Sequence, residues 1–185
     1  MRVLGAILAG GQSRRFGSDK AMALIDGRTL FERVVDILAP QTEDLAVCGR
    51  NWPGIPALVD RPGPNLGPLG GLNAALHYAS DRGFDAVLCV PVDVHPLPPN
   101  LREILEGPHA RVLRAQHAIG FWPVRYRLAL DERLAQGCYA VRSWISISGA
   151  TSISDDAFEL RNINRRDDLG SWPLPSSHND ARCLT

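Results

Sequence analysis

Glycines, basic residues and an acid crowd into one short stretch, LAGGQSRRFGSDKA, at residues 8–21. It follows the apolar run 2–8, which predicts a buried first strand. Gly10 and Gly11 allow backbone conformations closed to other residues and leave room for a ligand against the main chain. Consecutive N–H groups in such a loop form a concave site for an anion.

Basic side chains in the same loop supply the charge that a triphosphate requires: Arg14, Arg15 and Lys20. The stretch contains neither GxxxxGK[ST] nor GxGxxG, so it matches neither a P-loop nor a dinucleotide fingerprint. A surface turn with solvated basic residues is the alternative. The combination behind a buried strand favours phosphate binding, because α/β sheets place ligands at the carboxyl ends of their strands.

Asp93 stands just past the most strand-like run of the chain, residues 84–90. An acid at this place suits a Mg²⁺ ligand, with nucleotide phosphates completing the octahedron. A helix N-cap or a turn aspartate is an equally good interpretation of this residue alone. His95, two residues further on, is better explained as a loop histidine than as a ligand.

Proline and glycine dominate the loop at residues 59–72. Gly67, Gly70 and Gly71 permit close backbone approach to a flat ring or a phosphate. Asp60 offers a carboxylate to a base or a ribose. A plain connector is the alternative interpretation of this loop.

The last motif is RNINRRDDL, at residues 161–169. Asn162 and Asn164 alternate, so both side chains would project from one face of a strand. Taken alone, the stretch is better explained as an ordinary strand end with a turn asparagine.

The elements that must position these residues alternate between strands and helices. This alternation predicts an α/β layered fold with a mostly parallel sheet. Thr29 and Glu32 form a capping box ahead of a helix that stops before Pro40. Strands are predicted at 2–8, 44–48, 56–59 and 84–90, a hairpin at 110–115 and 119–124, extended segments at 151–154 and 157–164, and helices at 30–38, 72–80, 125–137, 139–146 and 165–172.

Composition narrows the class of protein. A chain of 185 residues with 45% hydrophobic residues buries one core, and its zero net charge argues against a nucleic-acid partner. The four cysteines form no CxxC pair, and Cys48 and Cys89 lie in apolar runs, which indicates buried free thiols in a reducing cytosol. No apolar run reaches membrane-spanning length, so a cytoplasmic protein without a membrane partner is expected.

Taken in order, LAGGQSRRFGSDKA, GPLGGL, VPVDVHPLPP and FELRNINRRDDL resemble the molybdenum cofactor guanylyltransferase family and its wider nucleotidyltransferase relatives. The resemblance runs from Val3 to about Leu169. It implies a Rossmann-like three-layer αβα sandwich of the nucleotidyltransferase type, which binds GTP and Mg²⁺. Such enzymes join GMP to molybdopterin and release pyrophosphate.

The resemblance also assigns residues. It implies that the nucleotide is held by Leu8, Ala9, Gly10, Gly11, Lys20, Asp60 and Asp93. Arg15 and Lys20 correspond to the phosphate-binding pair, and Asp93 to the metal-binding acid, so these three residues are the expected catalytic group. Asn162 and Asn164 correspond to a pair near the pterin substrate.

Two departures from the family pattern leave the base and the acceptor open. The family often has Asn in the segment of Cys48, and PVDVHPL replaces the common acid motif. A related enzyme using CTP or another phosphorylated acceptor is therefore an alternative, as is a nucleotide-binding protein without catalysis.

The expected organisation is one nucleotidyltransferase domain over residues 1–172, followed by a flexible tail at 173–185. Its nucleotide-binding half is expected at about 1–105 and its substrate-binding half at about 106–172. Expected partners are GTP, molybdopterin and, as candidates, molybdoenzyme-maturation proteins. The expected oligomeric state is a monomer or a weak homo-oligomer.

Overall fold

The computed structural model describes residues 1–10, 19–165 and 167–170, and a seven-stranded sheet runs through the centre of this part. The strands are, in chain order, β1 (Val3–Leu8), β2 (Leu24–Ile25), β3 (Arg28–Thr29), β4 (Asp44–Cys48), β5 (Ala57–Leu58), β6 (Ala86–Pro91), β7 (Val94–His95), β8 (Arg111–Leu113), β9 (Gly120–Pro123), β10 (Thr151–Ile153) and β11 (Arg161–Asn162). The central sheet has the order β10-β8-β9-β6-β1-β4-β5. Strand β1 is parallel to β4 and β6, whereas β9 is antiparallel to β6 and β8. The predicted, mostly parallel sheet is confirmed.

Helices cover both faces of this sheet. They are α1 (Leu30–Leu38), α2 (Pro68–Asp81), α3 (Leu101–Leu105), α4 (Arg127–Ala135), α5 (Val141–Ser148) and α6 (Asp167–Gly170). Buried side chains of α1 and α3 pack with one face of the sheet, and those of α2, α4 and α5 with the other. The three-layer αβα arrangement expected from the sequence is therefore confirmed.

Strand β1 supplies side chains to both layers. Val3 and Ile7 join the core on the α1 side, while Leu4 and Ala6 join the core on the α2 side. Successive side chains of a strand point to opposite faces, so an unbroken apolar run fits a strand buried on both. This is why the strand could be predicted from its composition alone.

Helix α1 begins where the sequence predicts. The Thr29 hydroxyl accepts a hydrogen bond from Glu32 N at 3.1 Å, and the Glu32 carboxylate accepts one from Thr29 N at 2.8 Å. This capping box satisfies backbone N–H groups that the first turn leaves without helical partners.

Helix α2 begins four residues earlier than predicted, at Pro68 rather than Leu72. Proline is favoured at the first position of a helix, where a missing N–H costs nothing. Gly70 and Gly71 therefore lie in the first turn of a helix and not in an irregular loop, which corrects the interpretation of GPLGGL.

The second half matches the prediction in outline. Strands β8 and β9 form the predicted hairpin, and α4 is followed by Gly137 at φ +77°. The predicted extended segment 157–164 is wrong in extent, since only Arg161–Asn162 pair as a strand, with β7. The tail after residue 172 lies outside the described residues. No helix of the described ranges combines the length and apolarity needed to cross a membrane.

Candidate active site

An open cleft of about 970 Å³ lies at the carboxyl ends of the parallel strands β1, β4 and β6. Its volume is at the upper end of the range of small-molecule sites. Parallel strands end at one edge of a sheet, so segments far apart in sequence meet there. The lining includes Leu8, Ala9, Gly10, Asp19, Lys20, Cys48, Arg50, Asp60, Gly71, Asp93, Gln116 and Asn162.

Backbone contacts fix the floor of the cleft. Ala9 N donates to the Cys48 carbonyl at 3.0 Å, and Val92 N donates to the Leu8 carbonyl at 3.0 Å. Gly49 has φ +85°, and a Cβ atom there would lie 2.3 Å from the Gly10 Cα. Glycine at position 49 therefore lets the end of β4 lie directly against the chain leaving β1.

Lys20 lies between an acid and an amide that come from distant parts of the chain. Its Nζ is 3.0 Å from Asp93 Oδ2 and donates to Asn164 Oδ1 at 3.1 Å. The side chains are 16% and 23% exposed for Lys20 and Asp93, which leaves both within reach of a ligand in the cleft. Lys20 is also the single lysine among the 20 lysine and arginine residues of the chain.

The turn that carries Lys20 is held by Asp19. Asp19 caps the 3₁₀ turn Lys20–Met22 by accepting from Ala21 N at 3.1 Å. It also receives two hydrogen bonds from Arg50, of which Nη1 to Oδ1 measures 2.8 Å and Nη2 to Oδ2 is shorter. The hydrogen bonds from Arg50 hold the pKa of Asp19 below its usual range.

Asp60 lies on the wall formed by the first turn of α2. Cβ atoms at Gly70 and Gly71 would meet Asp60 Cβ at 3.1 Å and Leu8 Cδ2 at 2.9 Å, respectively. These glycines therefore make room for protein atoms, where the sequence suggested room for a ligand. Burial raises the pKa of Asp60, and the N–H of Leu66 offsets part of this shift by hydrogen bonding to the carboxylate.

Cys48 is a buried free thiol, as predicted, and so is Cys89. The Cys48 Sγ donates to the Gly71 carbonyl at 3.3 Å. Burial, with a smaller contribution from the Asp60 carboxylate, raises the pKa of Cys48 to about 12. The thiol therefore stays protonated at neutral pH and joins the end of β4 to α2.

The two asparagines of the last motif meet the cleft from different positions. Asn162 is in β11 and accepts from Gln116 Nε2 at 2.8 Å, whereas Asn164 lies beyond the strand. Between them, Ile163 is buried, and its N–H donates to the Asp93 carbonyl at 2.8 Å. This anchor brings Asn164 to Lys20, which the alternation rule alone did not predict.

The sequence suggested that His95 is a loop histidine, and this prediction is wrong. His95 lies in β7, is 3% exposed, and its Nε2 is 3.0 Å from the Val92 carbonyl. Burial lowers its pKa, so the ring is neutral at physiological pH and supports the segment after β6.

Three residues predicted to contact the nucleotide, Gly11, Arg14 and Arg15, lie outside the described residues. The structure brings the remaining ones, Leu8, Ala9, Gly10, Lys20, Asp60, Asp93, Asn162 and Asn164, to or beside one cleft. Sequence reasoning missed Arg50 and Gln116. The only available signal for Arg50 was its position two residues after a strand whose partner could not be identified from sequence.

Three carboxylates line this cleft, those of Asp19, Asp60 and Asp93, and Asp93 is the expected ligand of a divalent cation. In residues 1–10, 19–165 and 167–170, no three His, Cys, Asp or Glu side chains cluster as a metal site. Asp93 is partly exposed and faces the cleft. One protein carboxylate completed by substrate phosphates is a common way of binding Mg²⁺, so the residues present fit this ion.

Comparison with known proteins gives a consistent picture. The family model described as "MobA-like NTP transferase domain" matches residues 5–150. A molybdenum cofactor guanylyltransferase of Cereibacter sphaeroides is 36% identical over 184 residues, which cover 91% of this chain and 94% of that protein. One of Rhodobacter capsulatus is 42% identical over 136 residues, 70% of this chain and 68% of that protein.

Solved structures share the fold at low sequence identity. Molybdopterin-guanine dinucleotide biosynthesis protein A from Archaeoglobus fulgidus superposes with a TM-score of 0.71 at 19% identity, covering 90% of this chain and 95% of that one. The 2-C-methyl-D-erythritol 4-phosphate cytidylyltransferase from Thermus thermophilus gives 0.66 at 14% identity, covering 89% and 94%. This chain therefore shares its fold with a molybdopterin-guanine dinucleotide biosynthesis protein and with a cytidylyltransferase.

Proposed function

The chain belongs to the MobA-like NTP transferase family, with the molybdenum cofactor guanylyltransferases, and from this premise we propose that it transfers GMP from GTP to molybdopterin. The observation that carries the proposal is the group of Lys20, Asp93 and Asn164 at the end of the parallel strands. It combines a cation for phosphates, a carboxylate for a metal and an amide, in a cleft of about 970 Å³.

The reaction is a displacement at the α-phosphorus of GTP. A terminal phosphate oxygen of molybdopterin forms the new P–O bond, and the bond from the α-phosphorus to the bridging oxygen of the pyrophosphate breaks. The nucleophile is already an anion, so no protein base has to remove a proton. Catalysis then consists of alignment and charge neutralisation.

Lys20 neutralises the phosphate charge that grows as pyrophosphate leaves. We assign Arg15 to the same task, as the resemblance implies. Asp93 would hold Mg²⁺, which supplies a positive charge beside the reacting phosphate when bound. Asn164 orients the Lys20 ammonium through the 3.1 Å hydrogen bond.

In this proposal, one wall of the cleft binds the nucleotide and the other binds the acceptor. Asp60 on the α2 wall supports guanine or ribose binding, because an ionised carboxylate accepts hydrogen bonds and guanine offers N–H donors on its base-pairing edge. The wall with Gln116 and Asn162 would receive the pterin acceptor. We propose that the reaction takes place in the cytoplasm.

Pyrophosphate release from GTP in the presence of molybdopterin tests the proposal. We expect release with GTP and little with CTP, and a loss of about a hundredfold or more in Lys20→Ala and Asp93→Asn. Arg28→Ala is the matched control, since Arg28 forms an exposed ion pair with Asp36 outside the cleft.

A preference for CTP would contradict the guanylyl assignment and leave nucleotidyl transfer intact. Absence of pyrophosphate release with every nucleoside triphosphate, while the nucleotide still binds, would instead indicate another phosphorylated acceptor or a nucleotide-binding protein without catalysis. Unchanged turnover in Lys20→Ala would refute the assigned roles.

A further inference from the structure

We propose that Arg50 is a positioning residue that fixes Lys20 in the cleft by holding Asp19. The inference rests on the proposed function for its kinetic meaning, because Lys20 is the cation assigned to the phosphates. The structural step, in which Arg50 holds Asp19 and thereby fixes Lys20, takes place in the protein without a ligand.

Arg50 approaches Asp19 from the segment directly after β4. It follows Gly49, whose backbone lies against Gly10 at the end of β1. Its guanidinium makes two parallel hydrogen bonds to the Asp19 carboxylate. Two-point pairing of this kind fixes orientation as well as distance, which a lysine ammonium does not do.

Asp19 transmits this constraint to Lys20 because it caps the turn that Lys20 begins. Its side chain accepts from Ala21 N, and its carbonyl accepts from Met22 N at 3.1 Å. The carboxylate is thus held by the backbone on one side and by Arg50 on the other. Lys20 Nζ leaves this turn and reaches Asp93 and Asn164.

Aromatic packing supports Arg50 from behind. Its guanidinium carbon lies 5.9 Å from the centre of the Trp52 ring. Trp52 stacks on Phe31 at 3.8 Å with an interplanar angle of 18°, and Phe31 is fully buried in the core. The position of the Arg50 guanidinium is therefore fixed through Trp52 to the buried side of α1. The Arg50 side chain is only 20% exposed.

Charge gives a second reason for the pairing. Asp19 is 45% exposed and lines the same cleft as Lys20. Without Arg50 its negative charge would compete for the Lys20 ammonium and repel incoming phosphates. A partly exposed ion pair usually contributes little to stability, so the expected effect of losing it concerns the site more than the fold.

Lysine-selective NMR tests the structural step directly. Because Lys20 is the single lysine, biosynthetic ¹³Cε-lysine labelling gives one signal from the whole chain. We expect Arg50→Ala and Asp19→Asn to move this signal by similar amounts, and the double variant to add nothing further. Arg28→Ala, which breaks an exposed arginine–aspartate pair, should leave it in place. An unchanged Lys20 signal in Arg50→Ala would overturn the proposal.

Kinetics then separates positioning from direct contact with the nucleotide. We expect Arg50→Ala to lower kcat/KM by about 10- to 100-fold, as small misplacements of a reacting group do, with Arg50→Lys intermediate. In a Lys20→Ala background the same change should cost no more than about threefold, since the group it positions is gone. Losses that multiply in the double variant would mean that Arg50 touches the nucleotide itself.

The two readouts keep this inference distinct from the proposed function. If the protein transferred no nucleotide, the NMR signal of the ligand-free chain would still show whether Arg50 positions Lys20. If it transferred CMP, the kinetic arm would be run with CTP and its expected outcomes would be unchanged.

Discussion

At the scale of single residues, Asp60 shows a conflict between stability and binding. Its carboxylate is partly buried against the first turn of α2, and burial raises its pKa. The folded state therefore binds a proton more readily than the unfolded state. As pH rises from the usual range of an aspartate through the pKa in the folded protein, the free energy of unfolding falls.

Asp60→Asn should consequently stabilise the protein at pH 7 and weaken nucleotide binding. We expect the melting temperature to rise by about 1–3 °C at pH 7. The difference should disappear near pH 3, where Asp60 is protonated in both the folded and the unfolded protein. Thermal unfolding monitored by circular dichroism at both pH values measures this. Asp44→Asn, at an exposed strand start, is the control. A lower melting temperature at pH 7 would contradict the argument.

The residues of the site differ in how far the sequence could identify them. Lys20, Asp60 and Asp93 follow predicted strands and belong to motifs that resemble a known family, so they were candidates from the sequence, and the structure places all three at the cleft. Arg50 was missed because its meaning depends on Asp19, 31 residues away, and on the pairing of β1 with β4. Such contacts arise from topology, which the sequence pattern does not specify.

At the scale of elements, the junction between β1 and β4 depends on Gly49. Its φ of +85° and the 2.3 Å distance from a hypothetical Cβ to the Gly10 Cα impose two separate penalties on any side chain. Gly54, at φ +77° with no atom within 4 Å of a hypothetical Cβ, imposes only the first. Comparing a substitution at Gly49 with one at Gly54 therefore separates the effect of backbone strain from that of a steric clash.

Gly54→Ala should cost about 1–2 kcal/mol, the usual penalty for a left-handed alanine. Gly49→Ala should cost at least about 1–3 kcal/mol more, because backbone atoms must move to relieve the overlap. It should also abolish nucleotide binding, since the floor of the cleft shifts. Urea unfolding and equilibrium binding of GTP measure the two effects. Equal losses of stability in both variants would show that the contact between strand ends is unimportant.

Elements with purely local signals were predicted well. The capping box at Thr29 and Glu32 set the start of α1, and short apolar runs identified β1 and β4. The start of α2 was missed because proline and glycine are typical of loops, although proline also begins helices. Strand β11 was overestimated because its pairing with β7 is limited to two residues.

At the scale of the whole molecule, one sheet separates two apolar cores. Phe31 and Ile7 belong to one core, and Leu76 and Trp144 belong to the other. Because β1 and β6 contribute side chains to both, loss of either core removes support from the other. The described part of the chain should therefore unfold in a single cooperative transition.

Destabilising one core while observing the other tests this expectation. In a background with Trp52→Phe and Trp172→Phe, the remaining tryptophans, Trp122 and Trp144, report on the α2 side. Phe31→Leu on the α1 side should then lower the free energy of unfolding by about 1–2 kcal/mol. The urea midpoints of the tryptophan fluorescence and of the far-UV signal should fall equally. Leu128→Ala, at a half-exposed position, is the control. Midpoints that separate would show that the two layers unfold independently.

The position of Lys20 has a practical consequence for handling the protein. Amine-reactive dyes, crosslinkers and sensor surfaces find two primary amines in this sequence, the chain terminus and Lys20. Coupling through Lys20 removes the ammonium that contacts Asp93 and Asn164, and attaches a bulky group inside the cleft. Ligand affinities should therefore be measured on protein tethered through a thiol. Cys138 is partly exposed and lies outside the cleft lining, so with Cys183 replaced by serine it provides that attachment point.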